Sequence, residues 1–328
     1  MAKQRAVGAD VVNLIGFEAT YGTPPDGSGG GVYYRVPMRQ YGLSPEQPPE
    51  DDPTWNLGSP DAGDPVQGPV IVNDAMTVPM CARNLGVVLK TVFGAPDSAE
   101  TGVDSGVFEH EFVSGQELLS FASQTGHPLL STPKWNTVYG TKAGGLNFDL
   151  ARTGRALAEV PLIGQGETSD VGGARDATPI QLAYLPFDNA KAAITVGGSA
   201  IGNVSAGRAQ YTNSLESAEN IRADGLIDGV DEGERMCTGT LDVRYSTSTA
   251  LETLANAKTP AAVVITYGLA SHPDFSLVIT MPRVFFFKPK LPINGPGGIS
   301  QSWQWRAARD PDLGYLMSVV LTNDVDSY

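Results

Sequence analysis

Ile299-Ser-Gln-Ser-Trp-Gln-Trp-Arg-Ala307 is the stretch that decides the fold, because apolar and polar side chains alternate along it. Successive side chains of a β-strand point to opposite faces of the sheet. One face of this stretch carries Ile299, Trp303, Trp305 and Ala307. The other face carries Ser300, Ser302, Gln304 and Arg306. The pattern predicts a strand at 299–307 in a sheet that is covered on one face only.

The neighbouring sequence predicts further strands joined by tight turns. Ile293-Asn-Gly-Pro-Gly-Gly298 precedes the strand, and Asn-Gly tolerates the positive φ that a chain reversal needs. Strand patterns also cover residues 261–267, 275–284 and 316–321. None of these turns carries a catalytic group, which indicates a chain that presents surfaces rather than one that performs chemistry.

The composition favours an all-β protein. The chain has 328 residues, of which 41% are hydrophobic, so it can form a sizeable core. Its 38 Gly and 24 Pro suit many turns, and long helical patterns are scarce. The length fits one large domain or two of ordinary size.

The net charge is −14 and is spread along the whole chain. Residues 1–164 carry 10 Lys or Arg against 18 Asp or Glu, and residues 165–328 carry 12 against 18. A protein that is acidic throughout repels phosphate backbones. The charge therefore argues against sequence-specific or tight nucleic-acid binding.

The two cysteines and the chain's first residues bear on its compartment. Cys81 and Cys237 form no CxxC pair, which predicts two reduced, buried thiols rather than a disulfide framework. The first residues lack the apolar core of a signal peptide, and no stretch reaches the roughly 18 apolar residues of a membrane span. We expect a protein that is made and assembled in a reducing cytoplasm, without a membrane partner.

Two short helices and several strands are predicted outside the C-terminal region. Leu85, Val88, Leu89 and Val92 recur at helical spacing within residues 83–93, with a Gly as C-cap and a Pro as stop. A second helix is predicted at 249–257. Strand patterns in the first half cover residues 118–125, 134–138, 146–150 and 156–162.

These elements divide the chain into two β-domains. Residues 1–164 form the first, with an N-terminal arm at 1–22 and a long loop at 45–69; 165–178 is the linker, and 179–328 form the second. Pro96 and Pro260 end the two helices 164 residues apart, which indicates two tandem copies of one domain. Two unrelated β-domains are the alternative.

Candidate chemical groups have simpler interpretations. His110, in Phe108-Glu-His-Glu-Phe112, is predicted to lie on an exposed β-edge, because a metal site would need further ligands at suitable spacing. The acidic run at 224–234 lacks calcium-loop spacing and is predicted to be a solvated loop. Gly164-Gln-Gly-Glu-Thr-Ser169 lacks the third Gly of a dinucleotide fingerprint.

Two further features concern surfaces. Trp303 and Trp305 could form a sugar-stacking platform, but their shared parity favours a core or a subunit interface. Lys288 and Lys290 follow three Phe residues and are predicted to blunt a hydrophobic strand end. We therefore predict no catalytic, cofactor-binding or metal-binding residue, no cofactor and no enzymatic activity.

The order of several motifs resembles one protein family. The motifs are Gly16-Phe-Glu-Ala-Thr-Tyr-Gly-Thr-Pro24, Leu85-Gly-Val-Val-Leu-Lys-Thr-Val-Phe-Gly94, Thr238-Gly-Thr-Leu-Asp-Val-Arg244, Thr249-Ala-Leu-Glu-Thr-Leu-Ala255, Ile279-Thr-Met-Pro-Arg-Val284 and Val319-Val-Leu-Thr-Asn323. Over about residues 8–324 the chain resembles the major tail tube proteins of tailed bacteriophages. The likeness lies in the order of the motifs and in the general character of the sequence, since no single motif is diagnostic. The loop at 45–69 matches no motif.

The resemblance implies a fold and a role. The fold is mainly β, with tail-tube-like β-sandwich or β-barrel domains, short flanking helices and two tandem copies. The role is that of a virion protein whose rings stack into a tail tube through which DNA passes without specific binding. Its partners would be itself, as a pseudo-sixfold trimer rather than a hexamer, and other tail proteins such as the tape measure and the tail terminator. Assembly would take place in the cytoplasm of the host bacterium.

Several alternatives stay open at this point. The runner-up is a β-sandwich carbohydrate-binding or adhesin-like module of a phage tail or a cell surface. A contractile or non-contractile tail, and a virion tube or a related injection device, are equally compatible with the sequence. The loop at 45–69 is too polar for a core, so we expect its deletion to leave folded rings but to impair their stacking.

Overall fold

The computed structural model describes residues 3–52, 61, 63–103, 105–171, 173–247, 249–291, 293 and 295–328. The two α-helices of this part are α1 (Leu85–Phe93) and α2 (Ala250–Ala257), and short 3-10 turns cover Gly8–Asp10, Gly27–Gly29 and Asn189–Lys191. The strands are β1 (Val12–Phe17), β2 (Tyr34–Arg35), β3 (Gln40–Tyr41), β4 (Pro49–Glu50), β5 (Val66–Gln67), β6 (Asn73–Pro79), β7 (Asp97–Glu100), β8 (Phe108–Val113), β9 (Phe121–His127), β10 (Lys134–Ala143), β11 (Gly145–Leu150), β12 (Leu157–Ile163), β13 (Gly166–Val171), β14 (Ala192–Val196), β15 (Ser199–Ala200), β16 (Val204–Thr212), β17 (Glu216–Ala218), β18 (Gly229–Asp231), β19 (Met236–Arg244), β20 (Ala261–Leu269), β21 (His272–Phe287), β22 (Ser300–Ala307) and β23 (Ser318–Asn323).

The mainly β fold that the sequence predicts is confirmed. Apart from the two-stranded ribbons β4–β5 and β17–β18, the strands join one barrel-like sheet system. One run of neighbours is β6, β12, β11, β16, β19, β22 and β21, all antiparallel. The strand β21 also pairs with β20 and β23, and β23 pairs with β8.

Strands from both halves of the chain are hydrogen-bonded to each other. β8 pairs with β23 and β11 pairs with β16, so each of these pairs joins residues of 1–164 to residues of 179–328. One hydrophobic cluster likewise holds side chains from both parts, among them Leu89, Phe148, Tyr211 and Trp303. The division into two domains and the duplication stay predictions.

Two segments predicted to lie outside the sheet instead form strands. Val12–Phe17, within the predicted arm, pairs with β9 along its whole length, because Leu14 and Ile15 become fully buried there. Gly166–Val171, within the predicted linker, pairs with β10. Its Asp170 carboxylate accepts hydrogen bonds from Gln124 and Thr137, which gives this polar strand a fixed place.

The predicted helices are confirmed to within two residues. Helix α1 buries Leu85, Val88, Leu89 and Val92, and Gly94, at φ 90°, closes it by donating its N–H to the Lys90 carbonyl. Helix α2 ends at Lys258, which adopts a left-handed φ of 52°. The Asn of the predicted Asn-Gly turn, Asn294, lies outside the described residues.

The loop predicted at 45–69 is closed at its base. Pro49–Glu50 pairs with Val66–Gln67 in a short antiparallel ribbon, and Glu46 forms a bridge with Ile71. Residues 53–60 and 62 of the loop lie outside the described part of the chain.

The last residues pack against α1. Asn323 is fully buried, and its amide nitrogen donates to the Ala82 carbonyl at 2.6 Å and to the Tyr328 hydroxyl at 2.7 Å. That hydroxyl donates to the Arg83 carbonyl at 2.6 Å. The Tyr328 ring covers Gly86, where an added Cβ would lie 2.2 Å from ring carbons. The tail therefore requires a glycine in the first turn of the helix.

We predict that Gly86→Ala changes stability with opposite sign in two backgrounds. In the wild type it displaces the Tyr328 ring and lowers the free energy of unfolding. In the Tyr328→Ala background the clash is absent. There Gly86→Ala raises the free energy of unfolding, because Ala is a better helix former than Gly by up to about 1 kcal/mol. Denaturant unfolding of the four proteins of this cycle measures the coupling. Equal effects of Gly86→Ala in both backgrounds would show that the ring does not constrain the helix.

We predict that Trp303→Ala lowers the free energy of unfolding by about 3–5 kcal/mol, because Trp303 is 4% exposed in the core. Its exposed neighbour Gln304 is the matched control, and Gln304→Ala should change stability by less than about 0.5 kcal/mol. Denaturant unfolding checks both values. A small loss for Trp303→Ala would place the indole outside the core.

Candidate assembly surfaces

The paired tryptophans belong to the core and not to a surface platform. Trp303 and Trp305 are each 4% exposed, on the face of β22 that packs into the main hydrophobic cluster. An added Cβ on Gly239 of the adjacent strand would lie 2.4 Å from the Trp305 ring. Neither indole is therefore available to stack on a sugar.

The prediction of an exposed edge for His110 was wrong. His110 is fully buried because β8 lies between β7 and β23. Its Nε2–H donates to the Val325 carbonyl at 2.8 Å, so Nδ1 accepts from the Ser98 hydroxyl at 2.8 Å. Burial lowers the pKa of His110, which keeps the ring neutral at pH 7. The histidine fixes the tail to the sheet.

The acidic run at 224–234 is partly ion-paired within the protein. Arg222 contacts Asp224 at 2.7 Å and Asp228 at 3.0 Å, and the hydrogen bond from Arg222 lowers the pKa of Asp224 to about 2. Glu232 accepts from Lys142 at 3.3 Å and from Arg235 at 2.7 Å. Within the described part of the chain, no group of three or more His, Cys, Asp or Glu could hold a metal ion.

The structure also accounts for the two cysteines, the Gly-rich stretch at 164–169 and Lys288. Cys81 and Cys237 are buried free thiols, as predicted, and burial raises the pKa of Cys237 to about 12. The Gly-rich stretch at 164–169 leads into strand β13 rather than into a helix. Lys288 lies at the end of β21 and pairs with Glu252 of α2 at 3.1 Å.

One broad polar face covers the outer side of the sheet. Asp149, Arg208, Thr240 and Gln304 lie side by side on β11, β16, β19 and β22, and none of them is buried. The next row of non-buried side chains runs across β6, β12, β11, β16, β19 and β22: Thr77, Glu159, Asn147, Gln210, Thr238 and Arg306. At about 4.8 Å per strand, the six strands from β6 to β22 span roughly 24 Å.

Charges on this polar face are arranged with both signs together. Arg208 lies 3.8 Å from Asp149, and Arg306 lies 3.8 Å from Glu234. Both pairs are exposed to solvent, so each contributes little to stability. Their effect is to leave the face without an isolated cluster of positive charge.

An apolar groove of about 1170 Å³ opens at one end of the sheet. It lies between the end of α2, the end of β21 and the segments at 114–115, 233–236 and 306–316. Its walls include Phe285, Phe287, Tyr315 and Leu316, and Phe287 is 52% exposed. The basic residues that line it are Arg235, Lys258, Lys288, Arg306 and Arg309.

Sequence reasoning missed the groove because its walls come from five separated segments. The only local signal was the run of three Phe before Lys288, which was interpreted as a strand end. In a chain of charge −14, five basic side chains and one acidic one, Glu234, around a single apolar groove form an unusual surface. Surfaces of this type commonly contact other macromolecules.

Among the described residues, no helix is both long and apolar enough to span a membrane. A search of curated proteins found no matching sequence. The family model described as phage tail tube protein matches residues 8–307. This match covers most of the chain. The chain therefore belongs to the phage tail tube protein family, and it is a structural component of the virion tail.

Proposed function

We propose that this tail tube protein assembles into rings that stack into a tube, and that the polar face of its sheet lines the channel. The observation that carries the proposal is the polar face itself, which extends without a break over six strands. Its exposed charges make it a poor subunit interface, since the centres of interfaces are depleted in charged residues. A hydrated wall is what a channel requires.

The charge of the wall suits the passage of DNA. A protein holds DNA by releasing counterions from phosphates with Lys and Arg. On the polar face Arg208 and Arg306 each lie near a carboxylate, and the chain as a whole carries −14. DNA therefore passes such a wall without specific binding, and the role needs no enzymatic activity.

A ring of three chains is the arrangement we favour. The chain contains two strand–helix–strand units, β6–α1–β7 and β19–α2–β20, so three chains supply six such units. Homo-oligomers commonly close with cyclic symmetry. The tape measure and tail terminator proteins are the further partners of such a tube, and assembly takes place in the cytoplasm of the host bacterium.

Electron microscopy of the purified protein at low and high concentration tests this proposal. We expect rings with a central hole or stacked tubes, and rotational averaging that gives three copies per ring. A map that resolves the subunits should place Thr240 and Gln304 on the channel wall. Monomers that persist at every concentration and also fail to join growing tails would contradict the proposal. Monomers that bind a glycan on an array would favour the carbohydrate-binding alternative.

The loop at 45–69 provides a second test, because its base is a ribbon that can be closed. Replacing residues 51–65 with Asn-Gly joins the pair Glu50–Val66 by a two-residue hairpin turn. We expect folded rings with an unchanged melting temperature and much shorter tubes in electron micrographs. A Gly/Ser segment of the original length is the matched control for loop length. Tubes of normal length from the shortened chain would show that the loop plays no part in stacking.

A further inference from the structure

The basic rim of the apolar groove is only partly neutralised within the chain. Arg306 lies 3.8 Å from the exposed Glu234, and Arg309 donates to the Gly314 carbonyl at 2.8 Å. No carboxylate of the described residues forms an ion pair with Lys258. Arg235 pairs with Glu232 at 2.7 Å and Lys288 pairs with Glu252 at 3.1 Å. Among the described residues, the uncompensated positive charge of the groove therefore lies at Lys258 and Arg309.

Lys258 occupies a position that favours glycine. Its φ of 52° is left-handed, a conformation that helices usually reserve for Gly at this point. A lysine there is held at some cost in backbone strain, and such strain is often found at functional sites. The residue thus supports a role for the rim beyond folding.

The chain also carries an acidic protrusion with an apolar tip. The hairpin formed by β7 and β8 is ordered by hydrogen bonds from Thr101 N–H to the Val107 carbonyl at 2.9 Å and from Gly106 N–H to the Glu100 carboxylate at 2.8 Å. Val103 at its tip is 97% exposed, and all four residues of β7 are exposed. By sequence, residues 91–133 contain six Asp or Glu and no Lys or Arg.

The hairpin tip and the groove lie at opposite ends of the same strand. Ser114 and Gly115, which directly follow β8, line the groove, whereas Val107, on the side of the hairpin tip, directly precedes β8. At about 3.3 Å per residue, the tip lies on the order of 30 Å from the groove of its own chain. The hairpin of one chain therefore cannot reach its own groove.

We propose that the hairpin formed by β7 and β8, with Val103 at its tip, docks into the basic-rimmed groove of a second copy of this chain. The proposal rests on the self-assembly proposed above and assigns one of its contacts. Val103 meets the Phe285 and Phe287 walls, while the acidic hairpin faces the basic rim. Such a contact joins two different surfaces, so it propagates from copy to copy until a ring closes or a filament forms.

Cysteine cross-linking tests the contact directly. Val103→Cys and Ala308→Cys, the latter in the groove wall, are placed on separate full-length chains and mixed with a short bismaleimide. The native Cys81 and Cys237 are fully buried and do not compete. We expect a cross-linked dimer of the two variants, and a ladder of multimers from a chain that carries both changes. Ile221, which is also fully exposed, is the site of the control: Ile221→Cys replaces Val103→Cys and should give no product with Ala308→Cys.

Two substitutions test the energetics. Val103→Arg should raise the critical concentration for assembly about tenfold, whereas Ile221→Arg should leave it nearly unchanged. Lys258→Gly removes a rim charge and relieves the left-handed lysine, so it should weaken assembly without lowering the melting temperature. That combination cannot arise from a variant that fails to fold.

The outcomes separate this inference from the proposed function. Wild-type tubes, with no Val103–Ala308 cross-link and normal assembly of Val103→Arg, would overturn the docking and leave the tube role intact. In a further variant Trp55→Cys replaces Val103→Cys. Its cross-link to Ala308→Cys would show that the loop at 45–69 occupies the groove, and it would overturn the assignment to the hairpin. A Val103–Ala308 cross-link without rings or tubes would support the contact and contradict the tube. Monomers that neither assemble nor cross-link would overturn both.

Discussion

The sheet depends on one long strand, β21, and on a bulge that lets it serve two sets of neighbours. Its first part pairs with β23 over Ser276–Thr280, and its second part pairs with β22 over Val284–Phe287. Between them the register against β20 shifts by one residue around Pro282, which has no N–H to donate. A single extra residue reverses the face to which each later side chain points. The bulge therefore determines which residues in the second part of β21 face the core. Leu277, Ile279 and Met281 are buried before it, Val284 and Phe286 after it, and both groups enter one core.

The sequence predicts elements whose signal is local. Helix α1 and the strand at 299–307 were found because their periodicity, and the Gly94 cap of the helix, lie within a dozen residues. The burial of His110 could not be read this way, because β7 and the tail supply its hydrogen-bond partners Ser98 and Val325. The strand Gly166–Val171 is polar, and its place comes from pairing with β10. The groove could not be predicted from the sequence, because no single segment contains enough of its wall to be recognised.

The distribution of charge separates the surfaces of the molecule. The polar face mixes both signs over six strands, and its Arg306 lies where the face meets the groove. Five basic side chains line the groove, and Lys258 and Arg309 have no carboxylate partner among the described residues. Residues 91–133, which include the hairpin, carry acidic side chains and no Lys or Arg. Folding alone demands no such segregation, because a scattered arrangement would serve solubility equally well. Segregated, complementary charge instead specifies which surfaces meet and in which orientation. A groove with unpaired basic side chains on an acidic subunit suits an acidic partner, and the docking proposed above supplies that partner as the hairpin of another copy.

The self-assembly proposed above requires a chain of charge −14 to overcome its own repulsion. At physiological ionic strength charges more than about 8 Å apart are largely screened, so the net repulsion between two subunits is weak except at contact. A contact that buries an apolar tip and opposes acid to base is favourable at just that short range. One such contact need not be strong, because closure of a ring makes each further contact intramolecular and adds to avidity. A weakly self-associating subunit stays dispersed while it is dilute, and becomes stable only in a closed assembly where every hairpin has a groove. The exposed Val103, a liability in an isolated chain, is consistent with a surface that is covered once the assembly forms.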